Sequence, residues 1–228
     1  TYRVEDTMNR ILATGRMKTA DTFVMATGVI ATISDPAIQT LTMVRRVRSR
    51  STNLNRVTKV NEVSREYCCG RISLQEAGRR LDEIEREVLY SSGMFVLGVV
   101  GTTAFFAPIF GGNIWDLLVS ALIGAVLSGV LWLCRRKKIH AFLENLLSSA
   151  AVALAAVLLL EVLPWNLHQD VIIISCIMPM VPGVAITNAI RDTFHGDYTS
   201  GMARILEAVM TAVAIAVGAG LGIAAGRL

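Results

Sequence analysis

The residues with most chemistry to offer fall in one short run, Met178-Pro-Met-Val-Pro-Gly183, and in the polar positions after it, Thr187, Asn188, Arg191 and Asp192. Pro179 and Pro182 lack a backbone N–H and Gly183 adds a flexible point, so a helix through this run must open. Carbonyls freed in that way, with the hydroxyl of Thr187 and the amide of Asn188, can hold a small polar solute. They cannot make or break a bond. In lipid such a break must face protein or a water-filled cavity, and broken helices commonly hold the substrate in secondary transporters. A plain structural kink is the alternative reading. Asn188 and Asp192 are four apart and share a face if the helix continues. Asp192 reads equally as an end-cap partner of Arg191.

Other reactive residue types are scattered. Asp116 and Glu161 lie near the ends of apolar segments and read as interfacial charges rather than proton carriers. His140, His168 and His195 fall in connections without ligand spacing. Cys68 and Cys69 are adjacent, while Cys134 and Cys176 sit in apolar segments. None has metal-site spacing, and all four read as reduced and structural. No Walker motif, nucleophile elbow or zinc signature appears, so no enzyme, metal or cofactor is expected. The net charge of +4 comes from no aromatic-flanked basic stripe, which excludes nucleic acid.

The elements that must position these residues are apolar helices. The sequence is 53% hydrophobic and 18% charged, with a mean hydropathy of +0.53, against about a quarter charged in soluble domains. Residues 1–90 hold 15 of the 22 Lys and Arg and 11 of the 18 Asp and Glu. The rest predicts five spans at about 91–110, 114–134, 145–162, 171–190 and 205–226. Each is close to the ~20 residues that cross ~30 Å of hydrocarbon. Five such segments leave no amphipathic layer to cover them as soluble core helices. The fold class is therefore an α-helical integral membrane protein, with a five-helix transmembrane domain over 91–228 behind a small α/β domain over 1–90.

Within 1–90, Val4, Met8, Ile11 and Leu12 predict a helix over 2–14. Thr22–Ser34 reads as a strand, Asp35-Pro36 as a turn, and the alternation of Leu41, Met43 and Val47 as a second strand. Leu54, Val57, Val60, Ser64 and Tyr67 recur at helical spacing before Gly70. Ser73-Leu-Gln-Glu76 predicts a capping box. The helix it opens carries the seam Leu74, Ala77, Leu81, Ile84 and Val88, suited to a helical partner.

Orientation follows from basic residues. Arg135 to Lys138, and Arg191 with Arg204, flank two connections, while 111–113 and 163–170 contain no Lys or Arg. Basic connections stay inside. Residues 1–90, 135–140 and 191–204 are thus expected in the cytoplasm and the C-terminus outside. Two stripes of small residues, Ser120/Gly124/Ser128 and Ala214/Gly218/Gly222/Gly226, allow close helix approach. They serve a subunit interface or contacts within the chain.

Tyr2-Arg-Val-Glu-Asp-Thr-Met, Val181-Pro-Gly-Val-Ala-Ile-Thr-Asn-Ala-Ile-Arg-Asp-Thr-Phe-His-Gly196 and Ser200-Gly-Met-Ala-Arg204 resemble the threonine/serine exporter family. The likeness runs in order over the whole chain, through Leu54 and Gly111-Gly112. It implies an inner-membrane secondary exporter of small polar metabolites, either threonine and serine or, in a split branch similar in length, a dicarboxylate such as succinate. In that branch a second small membrane subunit completes the exporter; a higher homo-oligomer is the other expectation. The resemblance marks Pro182, Gly183, Asn188, Asp192, Gly196, Ser200 and Gly201, with Glu5 as a contributor from the opening helix. The first residue is Thr1, and family members carry residues before this point, so a missing N-terminal piece is expected. The rival function is a non-transporting membrane scaffold whose cytoplasmic domain binds a partner, and such a scaffold does not require the Pro-Pro-Gly break.

The orientation can be tested by thiol labelling of intact cells. In a background without native cysteines, a cysteine introduced beside Lys137 is expected to resist an impermeant reagent. Labelling there would overturn the assignment.

Overall fold

Met8, Ile11 and Leu12 give α1 (Tyr2–Thr14) its half-buried side, although Val4 stays exposed. The computed structural model describes residues 2–15, 17–36, 38–47, 53–87 and 90–228. α1 packs on the first strand of an antiparallel sheet ordered β1 (Thr19–Met25), β2 (Gly28–Asp35) and β3 (Ile38–Arg46). Thr22 donates to the Asn9 side chain across that contact at 2.6 Å. The expected strand over Thr22–Ser34 is in fact two strands, folded back at Ala26-Thr27 with Met25 opposite Gly28. Ala-Thr carries none of the usual turn chemistry, so it is cross-strand pairing that reveals the hairpin. The sheet beside a helix stands as expected.

α2 (Leu54–Cys68) and α3 (Leu74–Arg86) pack on each other. Val63 and Ser64 are the buried residues of α2, whereas the expected Leu54 and Val57 are exposed. In α3, Ala77 is buried while Leu74 and Leu81 are exposed; Val88 lies outside the described residues. The capping box forms by half. Ser73 Oγ accepts from the Glu76 N–H at 3.2 Å, but the Glu76 carboxylate turns to Arg79 and Arg80. The hydrogen bond from Arg79, with that from Arg80, holds Glu76 down to about 2.

The apolar segments form α4 (Ser92–Ile109), α5 (Ile114–Arg136), α6 (Ala141–Val162), α7 (Gln169–Ile177), α8 (Gly183–Phe194) and α9 (Tyr198–Gly226). Among the described residues, α4, α5, α6 and α9 are each long and apolar enough to cross a membrane. α7 and α8 reach that length only together, as a bent pair, which gives up to five spans. Two helices begin ahead of the spans expected within them. α6 begins at Ala141, because His140 caps it through the Phe142 N–H at 3.3 Å and Glu144 lies in its first turn. α9 begins at Tyr198, well before 205.

The chain divides into two units: residues 1–89 with 187–204, and residues 90–186 with 205–228. In the second, Ile123, Leu127, Val152, Ala156, Ile172 and Cys176 make the core where α5, α6 and α7 meet. Three buried hydroxyls of this unit return to their own helices, Thr103 to Val100 O at 3.0 Å, Ser128 to Gly124 O at 2.8 Å and Ser175 to Val171 O at 2.6 Å, while those of Ser120 and Ser148 have no partner among the described residues. Such a return satisfies a polar group without a neighbour.

Both small-residue stripes serve contacts inside this chain. A Cβ on Gly124 would stand 2.1 Å from Thr103 Oγ1 of α4. On α9, one on Gly218 would meet Leu146 O of α6 at 2.2 Å, and one on Gly222 would meet Ala150 O at 2.3 Å. The α9 stripe is therefore occupied by α6. Because the obstructing atoms are backbone, Gly222→Leu is expected to cost ~3 kcal/mol or more, the upper range of overpacking. Gly220→Leu, with nothing within 4 Å, is the matched control. Thermal unfolding of the purified chain in detergent checks the pair, and equal midpoints would refute this packing.

Candidate functional site

The break expected between Met178 and Gly183 is present. α7 ends at Ile177, a 3-10 turn covers Met178–Met180, and α8 starts at Gly183. Pro179 and Pro182 withdraw the N–H donors that helical residues would give to the carbonyls of Ser175 and Met178. Met178 O is recovered by the Val181 N–H at 3.2 Å, and Pro182 O is used by the Ile186 N–H at 3.1 Å. The chain thus changes direction with part of its ladder rebuilt by short-range bonds. Pro179 and Gly183 are exposed and Pro182 is half-buried.

α8 continues unbroken through Thr187, Asn188 and Asp192, so the last two do lie on one face, Asn188 half-buried and Asp192 buried. Thr187 is exposed. The end of α8 corrects two expectations. Asp192 pairs not with its neighbour Arg191 but with Arg204 of α9, Nε to Oδ2 at 3.0 Å. Ser200 and Gly201 sit not in a connection but in the first turn of α9.

Local bonding explains why the connection is so short. The Gly196 N–H reaches Thr193 O and the Asp197 N–H reaches Asp192 O, both at 3.0 Å, with Gly196 at φ +83°. This is a Schellman stop. Asp197 then caps α9, its Oδ1 accepting from the Ser200 N–H at 3.1 Å. A glycine stop followed at once by an aspartate cap was legible in His195-Gly-Asp197. Gly201 brings α8 and α9 very close: a Cβ there would stand 2.3 Å from Thr193 Oγ1. In the same unit, His195 stacks on Tyr2 of α1, ring centroids 5.0 Å apart. Glu5 is half-buried in the first turn of α1.

A second polar cluster was not anticipated. Asp116, in the first turn of α5, is fully buried within the protein. Its Oδ2 accepts from the Asn113 N–H at 2.8 Å, closing a capping box at the start of α5. Its Oδ1 accepts from the His168 N–H at 2.9 Å, and His168 Nδ1 lies 2.8 Å from Oδ2. Asn113 Nδ2 donates to Asn166 O at 2.7 Å, and Trp115 stacks on Trp165 at 4.4 Å. The connection before α7 is thereby tied to the start of α5. An Asn-x-x-Asp capping signal stood in the sequence, but the His168 partner, 52 residues away, did not.

Comparison with known proteins settles the family. A family model described as "Putative threonine/serine exporter" matches residues 1–225. The chain belongs to the threonine/serine exporter family. A "Probable threonine/serine exporter" of Mycobacterium tuberculosis is 22% identical over 190 residues, covering 83% of this chain and 35% of that protein. A "Probable succinate transporter subunit YjjP" of Escherichia coli is 24% identical over 191 residues, covering 83% of this chain and 73% of that one. The chain thus spans about a third of the first relative's length. No solved structure matches. Members of this exporter family are transporters, not enzymes, and with its apolar helices this member is a multi-pass membrane protein.

The Asp116–His168 link is expected to make the stability of this exporter-family protein depend on pH. The hydrogen bond and charge of Asp116 raise the His168 pKa. A raised histidine contributes stability that is complete below its unfolded value, about 6.5, and is lost as pH rises through the folded value. Thermal unfolding in detergent across that range is expected to show this loss in the wild type and not in His168→Gln. Asp116→Asn is expected to lower stability at every pH, by ~1–3 kcal/mol for weakened bonds to a buried carboxylate.

Proposed function

We propose that the chain is a subunit of a secondary exporter that moves a small polar metabolite out of the cell across the cell (inner) membrane. The solute class is threonine and serine or a dicarboxylate such as succinate. The observation that carries this reading is the break at Met178–Gly183, an opened helix flanked by Thr187, Asn188 and Asp192. A scaffold has no use for such a break in hydrocarbon, where each lost backbone bond is costly. The family assignment and the name of the Mycobacterium tuberculosis relative support export, and the name of the Escherichia coli relative supports transport.

In this reading the solute is handled along the α7–α8 break and α8 by Pro179, Pro182, Gly183, Thr187, Asn188 and Asp192. Ser200 and Gly201 serve at the start of α9, with Glu5 as a contributor from α1. Residues 1–90 and the basic connection at 135–140 face the cytoplasm, and the C-terminus faces outward. Five spans are few to enclose a pathway at the interface of two repeats. The chain therefore works with a second membrane subunit or as a higher homo-oligomer, a reading supported by the word "subunit" in the name of the Escherichia coli relative.

Replacing both Pro182 and Gly183 with alanine restores helix and should lower transport into inverted membrane vesicles by about tenfold, roughly 1.4 kcal/mol, with insertion unchanged. Transport at the wild-type rate would reduce the break to a kink. Saturable transport by the purified single chain, reconstituted as a monomer, would remove the need for a partner.

A further inference from the structure

The turn between α8 and α9 holds more polar capacity than its own fold consumes. Asp192 is 5% exposed and meets Arg204 at 3.0 Å. That contact is one of charge, and Arg204 Nε has no aligned hydrogen bond among the described residues. One helical turn earlier on the same face of α9, Ser200 is 1% exposed, and its hydroxyl has no hydrogen-bond partner there either. Ser120 and Ser148 are likewise buried without a partner among the described residues, but of the three Ser200 alone has an arginine one turn along its own helix. Such a group calls for an explanation.

A structural clasp explains this poorly. A buried ion pair adds little net stability, because both charges must leave water. A clasp would also be expected to use the guanidinium's fork of donors fully. What the geometry offers is a carboxylate resting on a guanidinium whose Nε is not aligned in a hydrogen bond, with an unused hydroxyl donor four residues away. That is how a carboxylate site looks when the protein's own carboxylate holds the place of the ligand.

We propose that Arg204 is the carboxylate anchor for the transported solute, that Ser200 is its second donor, and that Asp192 occupies Arg204 when no solute is bound. This rests on the transporter reading above. The ligand chemistry is a carboxylate, shared by an amino acid and a dicarboxylate. Arrival of the solute moves the Asp192 carboxylate off the guanidinium, so solute and Asp192 compete for one cation.

The test uses inverted vesicles from cells making the full chain, with labelled L-serine and labelled succinate as probes and serinamide and succinamide as competitors lacking the carboxylate. Transported acids should compete and their amides should not. Arg204→Gln should cut uptake at least tenfold, and Ser200→Ala should raise KM several-fold while the maximal rate holds. Asp192→Asn, which removes the internal competitor, should lower KM. A clasp alone would make Asp192→Asn and Arg204→Gln fail together and leave KM unmoved in Ser200→Ala. Amides that compete as well as acids, or wild-type KM in an Arg204→Gln protein present at normal membrane level, would overturn the assignment. If Arg204→Gln does not insert, Ser200→Ala and the amide competition decide. Wild-type vesicles that move neither probe would instead count against the transporter reading itself.

Discussion

In hydrocarbon a backbone carbonyl or N–H has no water to bond, and this constraint governs the membrane part of the chain. α4, α5, α6 and α9 meet it in the simplest way, as continuous helices that satisfy their own backbone. α7 and α8 do not. Two prolines remove donors, and the chain answers with a 3-10 turn and a fresh helix start. Local bonds at Val181 and Ile186 rebuild part of the ladder. A break kept under such a constraint has a cost that a plain span would avoid, which makes it the natural place to look for function.

The same constraint shapes the side chains. The hydroxyls of Thr103, Ser128 and Ser175 fold back onto carbonyls of their own helices, so they pack as small residues with their polarity already met. Glycines then allow helices to touch: Gly124 against α4, and Gly218 and Gly222 against α6. Without a hydrophobic drive between helices in lipid, such close contact supplies the dispersion energy that holds the bundle. A glycine stripe buried in this way has no face left to offer a second subunit.

How much of this was legible follows from the range of each interaction. Helices set by composition and local caps were readable: Ser92–Ile109 and Ile114–Arg136 fall almost where hydropathy puts them, and the Pro-Pro-Gly break is where it was expected. Features that depend on distant residues were not. The Ala26-Thr27 turn exists because β1 finds β2. The buried side of α2 rests on Val63 and Ser64 because packing chooses the face, and a helix with weak amphipathicity leaves that choice open. The helical turns of α9 ahead of 205 are a different case. The α9 cap, Asp197, was local and visible, but hydropathy favours the apolar residues from 205 onward and hides a polar first turn.

The two buried carboxylates show why position alone does not assign a role. Asp116 accepts from two backbone N–H groups and contacts an imidazole, so both of its oxygens are used by groups fixed in the fold. Those bonds tie a junction together, and although the buried Ser120 hydroxyl one turn further along α5 has no partner among the described residues, no cation stands beside it on that helix. Asp192 meets a guanidinium whose Nε is not aligned in a hydrogen bond, beside a serine hydroxyl with none. Sequence read Asp116 as an interfacial charge and Asp192 as a candidate pathway residue or an end-cap partner of Arg191, without showing what either one meets. The partner separates them: Asp116 is held by backbone N–H groups that cannot leave the fold, whereas Asp192 faces a side-chain guanidinium that, in the proposed exchange, trades an internal carboxylate for an external one.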